Sequence, residues 1–296
     1  MKKTNRRRKI RYDRIIVALL IVSAIAILIF LMAMKAYQYV THDLLSNAPD
    51  APEYYLMVGT DDQSGAHADA VVVVAINHQT QHITFISVPE NTQISRDNKQ
   101  QVLLKDTFIE GGIEETKSAV ENLLHIRMKH FIVFDNTSFC AMMDKIGKID
   151  FYVEKNMIHD DVDGNSDIYL FQGYQTLSPN NAFAYLRYID NQDKEIGRWQ
   201  RQERLMKAIL SEMHNNSSLY NWGMVYHYWN TDGTSMTSSE AASLAYDFTK
   251  FPLENITFVI LPGEIKEENK KTYWQINPIA VQKVIGLTLH QEEETN

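Results

Sequence analysis

The chain of 296 residues has only one cysteine, Cys140. A single cysteine cannot form an intramolecular disulfide, so a domain outside the cytoplasm would depend on its apolar core for stability. About 240 residues remain after the N-terminal segment, which is enough for one large core or two small ones. The sequence also shows no internal repeat.

Residues 15–34 lack any charged side chain, and Ser23 is their only hydroxyl residue. Twenty helical residues rise about 30 Å, the hydrocarbon thickness of a bilayer. A cleaved signal peptide is the alternative, but its apolar region is usually about 7–15 residues and ends in a small-x-small site. Here the run ends in Met34-Lys35-Ala36. The segment therefore predicts a transmembrane helix.

The flanking charges predict the orientation of this helix. Residues 1–14 carry eight Lys and Arg against one acid, Asp13, and such tails stay in the cytoplasm. The rest of the chain has 21 basic and 36 acidic residues, which excludes nucleic acid as an expected partner. We expect a stalk at 35–52, an extracellular domain at 53–288 and a frayed tail at 289–296.

The outer domain alternates strand-like and helix-like segments. Short runs rich in Val, Ile, Phe and Tyr at 54–59, 70–76 and 82–88 predict strands, and the middle run is apolar throughout, as in a strand covered on both faces. Helical patterns follow, so we predict an α/β fold with helices on both faces of the sheet. Residues 155–175 are polar and read as loop.

Two acids stand where the first two strands meet. Asp61 follows the first strand and Asp69 precedes the second, so both can reach one edge of the sheet. Paired carboxylates there suit Mg²⁺, which keeps several waters and takes few protein ligands. Ordinary turn chemistry is the alternative, because Asp and Gly favour turns.

A second polar group lies on two successive helices. Arg187 comes late in the helix after Pro179, while Arg198, Arg201 and Gln202 lie early in the next one. Guanidinium groups beside a helix N-terminus can bind phosphate. Pairing of these arginines with nearby glutamates on the surface is the alternative.

An acidic loop at 159–167 has some features of a calcium-binding EF-hand. Counting from His159, positions 3, 5 and 6 fit that pattern, but position 1 is histidine and position 12 is Leu170. We interpret the segment as a solvated loop.

Several motifs in order resemble one family. They are VGTD at 58–61, the aspartate before AVVVVAIN, SVPxxT at 87–92, GG at 111–112, LSPNNAFAYLRY at 177–188 and IGRWQRQ at 196–202. From about residue 54 to 284 the chain resembles the LytR-CpsA-Psr (LCP) proteins of Gram-positive cell envelopes.

The resemblance implies a central mixed sheet and a specific chemistry. LCP proteins transfer a glycopolymer from a polyprenyl-pyrophosphate carrier in the membrane to peptidoglycan. Residues matching Asp61 and Asp69 hold Mg²⁺, those matching Arg187, Arg198 and Gln202 bind the phosphates, and the prenyl chain lies in an apolar tunnel. Such transfer depends mostly on positioning and charge neutralisation.

The chain departs from the family pattern at three phosphate-facing arginines. His67 stands at the first of these positions, Glu90 at the second, with Asn91 in place of an aspartate, and Ile189 at the third. We therefore list His67, Glu90 and Asn91 as altered substrate-binding positions. Two unit charges about 5 Å apart at an effective dielectric near 20 interact by about 3 kcal/mol. Repulsion between Glu90 and a phosphate is therefore expected to weaken phosphate binding.

These departures lead to a hypothesis about activity. We expect a catalytically weakened or inactive LCP protein that binds a lipid carrier or regulates an active paralogue. The alternative is an active Mg²⁺-dependent transferase with a variant site. Transcriptional control, a third interpretation, is disfavoured because the domain is acidic and the predicted cytoplasmic tail has only fourteen residues.

Overall fold

The computed structural model describes residues 27, 29–32, 51–61, 67–95, 101–160, 166–190, 194–215, 233–268 and 271–289, with the side chains of 61 and 194–196 outside the description. The chain divides into two compact units, Met1–Ala48 and Pro49–Asn296. The predicted tail, most of the predicted transmembrane helix and the stalk up to residue 50 lie outside the described residues, as does the C-terminal tail after residue 289. Within the described ranges, no helix has both the length and the hydropathy to cross a bilayer.

The Pro49–Asn296 unit alternates strands and helices. In chain order the elements are β1 (Glu53–Asp61), β2 (His67–Asn77), β3 (His82–Val88), β4 (Gln93–Ser95), β5 (Gln101–Leu103), α1 (Asp106–Leu124), β6 (Met128–Phe134), α2 (Asn136–Ile146), β7 (Ile149–Val153), β8 (Met157–Asp160), β9 (Ser166–Leu170), β10 (Gly173–Leu177), α3 (Pro179–Arg187), α4 (Lys194–Asn215), α5 (Ser238–Lys250), a 3₁₀ turn (Leu253–Asn255), β11 (Ile256–Ile260), β12 (Gly263–Glu268), β13 (Lys271–Ile276) and α6 (Pro278–Leu289).

Five strands form the central sheet, in the order β11-β3-β2-β1-β6. β2 runs antiparallel to both β1 and β3, whereas β6 and β11 lie parallel to their neighbours. The sheet is therefore mixed. Because β1 and β6 are parallel, their carboxyl ends lie at the same edge of the sheet.

Both faces of this sheet are covered, as the continuous apolar run in β2 predicts. Leu56 and Val73 face a core completed by α1 and α6, while Tyr55 and Val74 face one completed by α4 and α5. This alternation follows from the two-residue period of strand side chains. The predicted α/β architecture with helices on both faces is confirmed.

The prediction of a loop over residues 155–175 is wrong. β8 pairs with β9 and β10 pairs with β7, and their inner residues close a separate core against α2, α3 and α4. Met157, Ile168 and Leu170 are buried there. The strands are short and have one face in solvent, so polar residues interrupt the apolar pattern that would have revealed them.

A cluster of ionisable groups lies at the other end of β1 and β2. His78 stands between Glu53, at 3.5 Å, and Asp247 of α5, at 3.8 Å, and the Glu53 carboxylate also accepts from Tyr55 and Lys129. The hydrogen bond from His78 is the main reason that the pKa of Glu53 falls to about 2. Burial raises the pKa of Asp247 to about 6.

We expect the folded protein to lose stability as the pH rises from about 4 to 7. Asp247 has a folded pKa above its ordinary value, so its contribution is complete below the unfolded pKa of 3.8 and disappears as pH rises through about 6. A shift of this size corresponds to roughly 3 kcal/mol. Urea unfolding at pH 5 and pH 8 measures about half of this difference, because the carboxyl of the unfolded chain is already mostly ionised at pH 5.

The variant Asp247→Asn should reduce this loss of stability between pH 5 and pH 8. Glu254→Gln, which changes an exposed carboxylate within the 3₁₀ turn, is the matched control and should leave the loss unchanged. Equal pH dependence in both variants would contradict the assignment to Asp247.

Candidate functional site

A cavity of about 440 Å³ lies between the α4 face of the sheet and the separate core that β7–β10 form with α2, α3 and α4. Its volume is within the range of small-molecule sites, roughly 300–1,000 Å³. Its apolar lining comes from strand ends and three helices: Met57, Val72, Phe134, Phe139, Met142, Ile168, Phe183, Leu186, Ile189, Leu205, Met206 and Ile209.

Polar side chains from several strands and helices line the same cavity. Four of the predicted site residues are among them, namely Asp69, Arg187, Arg198 and Gln202. The structure therefore brings together residues that lie more than 130 positions apart in sequence. Three further groups that the sequence analysis did not assign to the site also line the cavity: Asp135, His159 and Asp167.

A β-bulge directs Asp69 into the cavity. Gly59 pairs with Ala70 and Thr60 pairs with Ala68, so Asp69 has no opposite residue on β1. The extra residue lets Ala68 and Val71 both pack in the α1 core, while Asp69 and Ala70 both line the cavity. Bulges commonly redirect side chains beside functional sites.

Glu90 does not line the cavity but forms a buried ion pair with Arg198. Glu90 is 6% exposed, and its two carboxylate oxygens accept from the Arg198 guanidinium and, at 3.2 Å, from the Trp199 indole. Trp199 in turn packs edge-on against Trp274. A carboxylate thus neutralises one of the two arginines that line the cavity.

The second arginine of the cavity also faces a carboxylate. The Arg187 guanidinium lies 3.6 Å from Asp167, whose other oxygen is 2.6 Å from Nδ1 of His159. Asp167 sits at a bulge, because His159 pairs with Ile168 and Asp160 pairs with Ser166. The segment interpreted as a solvated loop therefore contributes two polar groups to the cavity lining.

Arg201 points away from the cavity. It is 1% exposed, donates to the Tyr188 carbonyl at 2.5 Å and pairs with Glu154 at 3.8 Å. Its guanidinium also lies 5.3 Å from the centre of the Tyr188 ring. These contacts connect α4 to the end of α3 and give Arg201 a structural role, while its role in substrate binding stays a prediction.

Two further predicted positions, His67 and Asn91, lie outside the cavity lining. His67 faces Asp106 at 3.4 Å. The side-chain oxygen of Asn91 is buried with no hydrogen-bond partner among the described residues, and its backbone carbonyl accepts from Trp274. The side chain of Asp61 lies outside the described part of the structure.

Asp135 could have been found from the sequence, because it stands at the end of strand β6 much as Asp61 stands at the end of β1. It caps α2, with its carboxylate accepting from the Ser138 backbone and hydroxyl. These hydrogen bonds lower its pKa, so the group stays ionised near neutral pH. Among the described residues, no group of three or more His, Cys, Asp or Glu is arranged to hold a metal ion.

The chain is similar in sequence to a family of known proteins. The model of the LytR_cpsA_psr family matches residues 33–287. The polyisoprenyl-teichoic acid–peptidoglycan teichoic acid transferase TagV of Bacillus subtilis (strain 168) is 28% identical over 179 residues, which are 57% of this chain and 45% of TagV. The corresponding TagU transferase of Bacillus licheniformis is 26% identical, over 59% of this chain and 56% of its own. The chain thus spans about half the length of these curated relatives.

Solved structures share the fold. The crystal structure of B. subtilis TagV superposes with a TM-score of 0.67 at 20% identity, covering 81% of this chain and 98% of that one. A LytR-CPS2A-psr family protein, TagT, with bound octaprenyl pyrophosphate lipid gives a TM-score of 0.61 at 19% identity, covering 81% of this chain and 90% of that one.

Proposed function

Because the chain belongs to the LytR-CpsA-Psr family, we propose that it binds a polyprenyl-pyrophosphate carrier in the cavity beneath α4 and transfers glycopolymer to peptidoglycan slowly or not at all. The observation that carries this proposal is the buried pair of Glu90 with Arg198, a cavity-lining arginine. The apolar lining of the cavity supports binding, and the pairing of its charges supports the loss of activity.

The cavity lining supports binding of a prenyl chain. Its walls are mostly Met, Leu, Ile, Val and Phe side chains, which favour a branched hydrocarbon over water. Methionines such as Met57, Met142 and Met206 adapt to an irregular apolar ligand, since their side chains are unbranched and flexible. The structure of TagT with bound octaprenyl pyrophosphate lipid is similar in fold to this chain.

The charges in the cavity support weakened transfer. Three aspartates line it against two arginines, and each of those arginines faces a carboxylate, Glu90 or Asp167. Phosphoryl transfer requires the developing charge on phosphate oxygens to be neutralised. An arginine already paired with a carboxylate contributes less to that neutralisation.

Mg²⁺ fits this arrangement as an ion bound by both the protein and the substrate. Mg²⁺ is usually held by one or two carboxylates together with substrate phosphates, and Asp69 projects from its bulge into the cavity. Asp69, with Asp61 as the second predicted ligand, would hold it. When bound, the ion would supply positive charge to a pyrophosphate. We therefore expect lipid affinity to fall when Mg²⁺ is removed with a chelator.

We further propose that residues 15–34 anchor the protein in the cell membrane, with residues 1–14 in the cytoplasm and the domain outside. Tethering to the bilayer that carries the lipid substrate raises its effective concentration, so a weakened site can still be occupied. An occupied but slow protein could regulate an active paralogue by competing for the carrier. Cysteine-accessibility labelling at residues 5 and 290 tests the orientation.

A cavity-filling substitution should separate lipid binding from folding. Met142 lines the cavity from α2, so Met142→Trp is expected to lower the affinity for octaprenyl pyrophosphate at least about tenfold by occupying the space of the prenyl chain. Met142→Leu, which conserves volume, should stay within about twofold. Titration of the full chain in detergent measures both, and equal affinities would place the lipid elsewhere.

The proposal on catalysis is tested by a transfer assay with the full chain in detergent. The protein is incubated with a polyprenyl-pyrophosphate-linked glycan, Mg²⁺ and peptidoglycan, and B. subtilis TagV is the positive control. A deficit near 3 kcal/mol predicts transfer about 100-fold slower than that of TagV.

The alternative of an active Mg²⁺-dependent transferase is favoured by one observation, that Asp69, Arg187, Arg198 and Gln202 all line one cavity. It predicts turnover comparable to TagV, lost in Asp69→Ala. That result would overturn the weakened-enzyme proposal.

A further inference from the structure

Five large apolar side chains form an exposed surface on the outer side of the β7–β10 and β8–β9 pairs. We call this surface the aromatic face; its members are Tyr152, Ile158, Tyr169, Phe171 and Tyr174. Tyr174 is 87% exposed and Tyr169 is 57% exposed, although the inner residues of the same strands are buried. Clustered apolar side chains on a soluble surface usually mark an interaction site.

The aromatic face contains two pairs of neighbouring rings, and Ile158 lies beside one of them. Tyr152 and Tyr174 lie opposite each other on β7 and β10, with ring centres 4.9 Å apart. Tyr169 and Phe171 are 5.0 Å apart, and Ile158 lies opposite Tyr169. The Gln172 backbone N–H donates to the Asn156 side chain at 2.8 Å, which ties the connections of the two strand pairs together.

The chemistry of this surface suits an uncharged carbohydrate. The polar residues on the same outward side of β7 and β10 as the tyrosine rings, Asp150 and Thr176, are acidic or neutral. Anionic polymers and anionic membranes are recognised through Lys and Arg, which the outward positions of these four described strands lack. The C–H faces of pyranose rings stack on aromatic rings, while amides and hydroxyls bond to the sugar edges.

The aromatic face adjoins the cavity along β8 and β9. His159 and Asp167 line the cavity, and the face begins with Ile158 and Tyr169 on the same two strands. Tyr169 lies two residues from Asp167, about 7 Å along a strand. A glycan bound on the face would therefore lie next to the cavity, separated from it by β8 and β9.

We propose that the aromatic face binds the sugar backbone of a peptidoglycan strand, the acceptor side of the reaction. This inference rests on the proposed function for its choice of glycan, because the acceptor of the related transferases is peptidoglycan. The tyrosines stack on successive N-acetylated hexosamines, and their stiff side chains lose little entropy on binding.

The test uses the full chain in detergent and a soluble oligomer of β-1,4-linked N-acetylglucosamine, with isolated peptidoglycan glycan strands as a second ligand. Tyr174→Ala and Tyr169→Ala are each expected to weaken binding about tenfold, since stacked aromatic anchors dominate such sites. Tyr174→Trp, which retains an aromatic ring, should bind the glycans about as tightly as the unmodified chain. Ile279→Ala, at another apolar side chain with 85% exposure, is the matched control and should have no effect.

Octaprenyl pyrophosphate binding is measured on the same variants, so the two proposals fail separately. If the unmodified chain does not bind octaprenyl pyrophosphate, the proposed function is overturned. The glycan titration would still report on the aromatic face. The inference is overturned if the glycans do not bind, or if the alanine variants and Ile279→Ala bind them equally. It is also overturned if the alanine variants change only the oligomeric state, which would identify a protein interface.

Discussion

Glu90→Gln is expected to tighten binding of octaprenyl pyrophosphate by about 10- to 100-fold and to lower the stability of the unliganded protein by about 3 kcal/mol. The two effects have one cause. The substitution removes a buried negative charge from beside the Arg198 guanidinium, which then faces the ligand without this competing carboxylate.

The expected size follows from the burial of the pair. Glu90 and Arg198 are both less than 10% exposed, so solvent screens their interaction weakly. Removing one partner of such a pair leaves an uncompensated charge, which typically costs about 3–5 kcal/mol. Glutamine still accepts a hydrogen bond, which places the cost at the low end.

Thermal unfolding with and without lipid measures both effects in one experiment. The lipid should raise the melting temperature of Glu90→Gln more than that of the unmodified chain, because the phosphates replace the lost carboxylate. Glu203→Gln is the control on α4, the helix that carries Arg198, where Glu203 pairs with Lys207 at the surface. If Glu90→Gln binds lipid no better, the pair does not limit phosphate binding.

Arg201→Met is expected to destabilise the fold by about 3–5 kcal/mol without changing lipid affinity in the protein that remains folded. Arg201 is fully buried and holds the Tyr188 carbonyl and Glu154, so its loss removes a charge-assisted hydrogen bond and unpairs α3 from α4.

Arg204→Met provides a matched comparison. Arg204 pairs with the same Glu154 at 3.4 Å, but its side chain is 46% exposed. An exposed pair contributes about 0–1 kcal/mol, so this variant should unfold close to the unmodified chain in urea. Similar costs for the two variants would refute a structural role for Arg201, and a selective loss of lipid affinity in Arg201→Met would restore its predicted binding role.

The local features of the fold could be predicted because they depend on neighbouring residues. The strand runs in β1, β2 and β3 follow from β-branched and aromatic residues, and Ser178 with Pro179 marks the start of α3, where the Ser178 hydroxyl caps the helix. The residues Asp69, Arg187, Arg198 and Gln202 could be chosen from motifs, and all four line the cavity.

The electrostatic state of the site could not be predicted because it depends on pairs distant in sequence. Glu90 and Arg198 are 108 positions apart, and only the packing of α4 over the sheet brings them together. Arg198 and Arg201 lie three residues apart on nearly the same face of one helix, yet Arg198 lines the cavity while Arg201 is held by the Tyr188 carbonyl and Glu154.

By itself, the sequence determined the apolar periodicities, the helix cap and the set of polar residues available for a site. The tertiary structure alone decided which carboxylate neutralises which arginine, because charge pairing depends on distance and burial. It also decided that residues 157–160, 166–170 and 173–177 form strands, since their buried face exists only once Met157, Ile168 and Leu170 meet α3 and α4. Composition could not show that the exposed Tyr152 and Tyr174 lie side by side, because that requires β7 and β10 to pair in space.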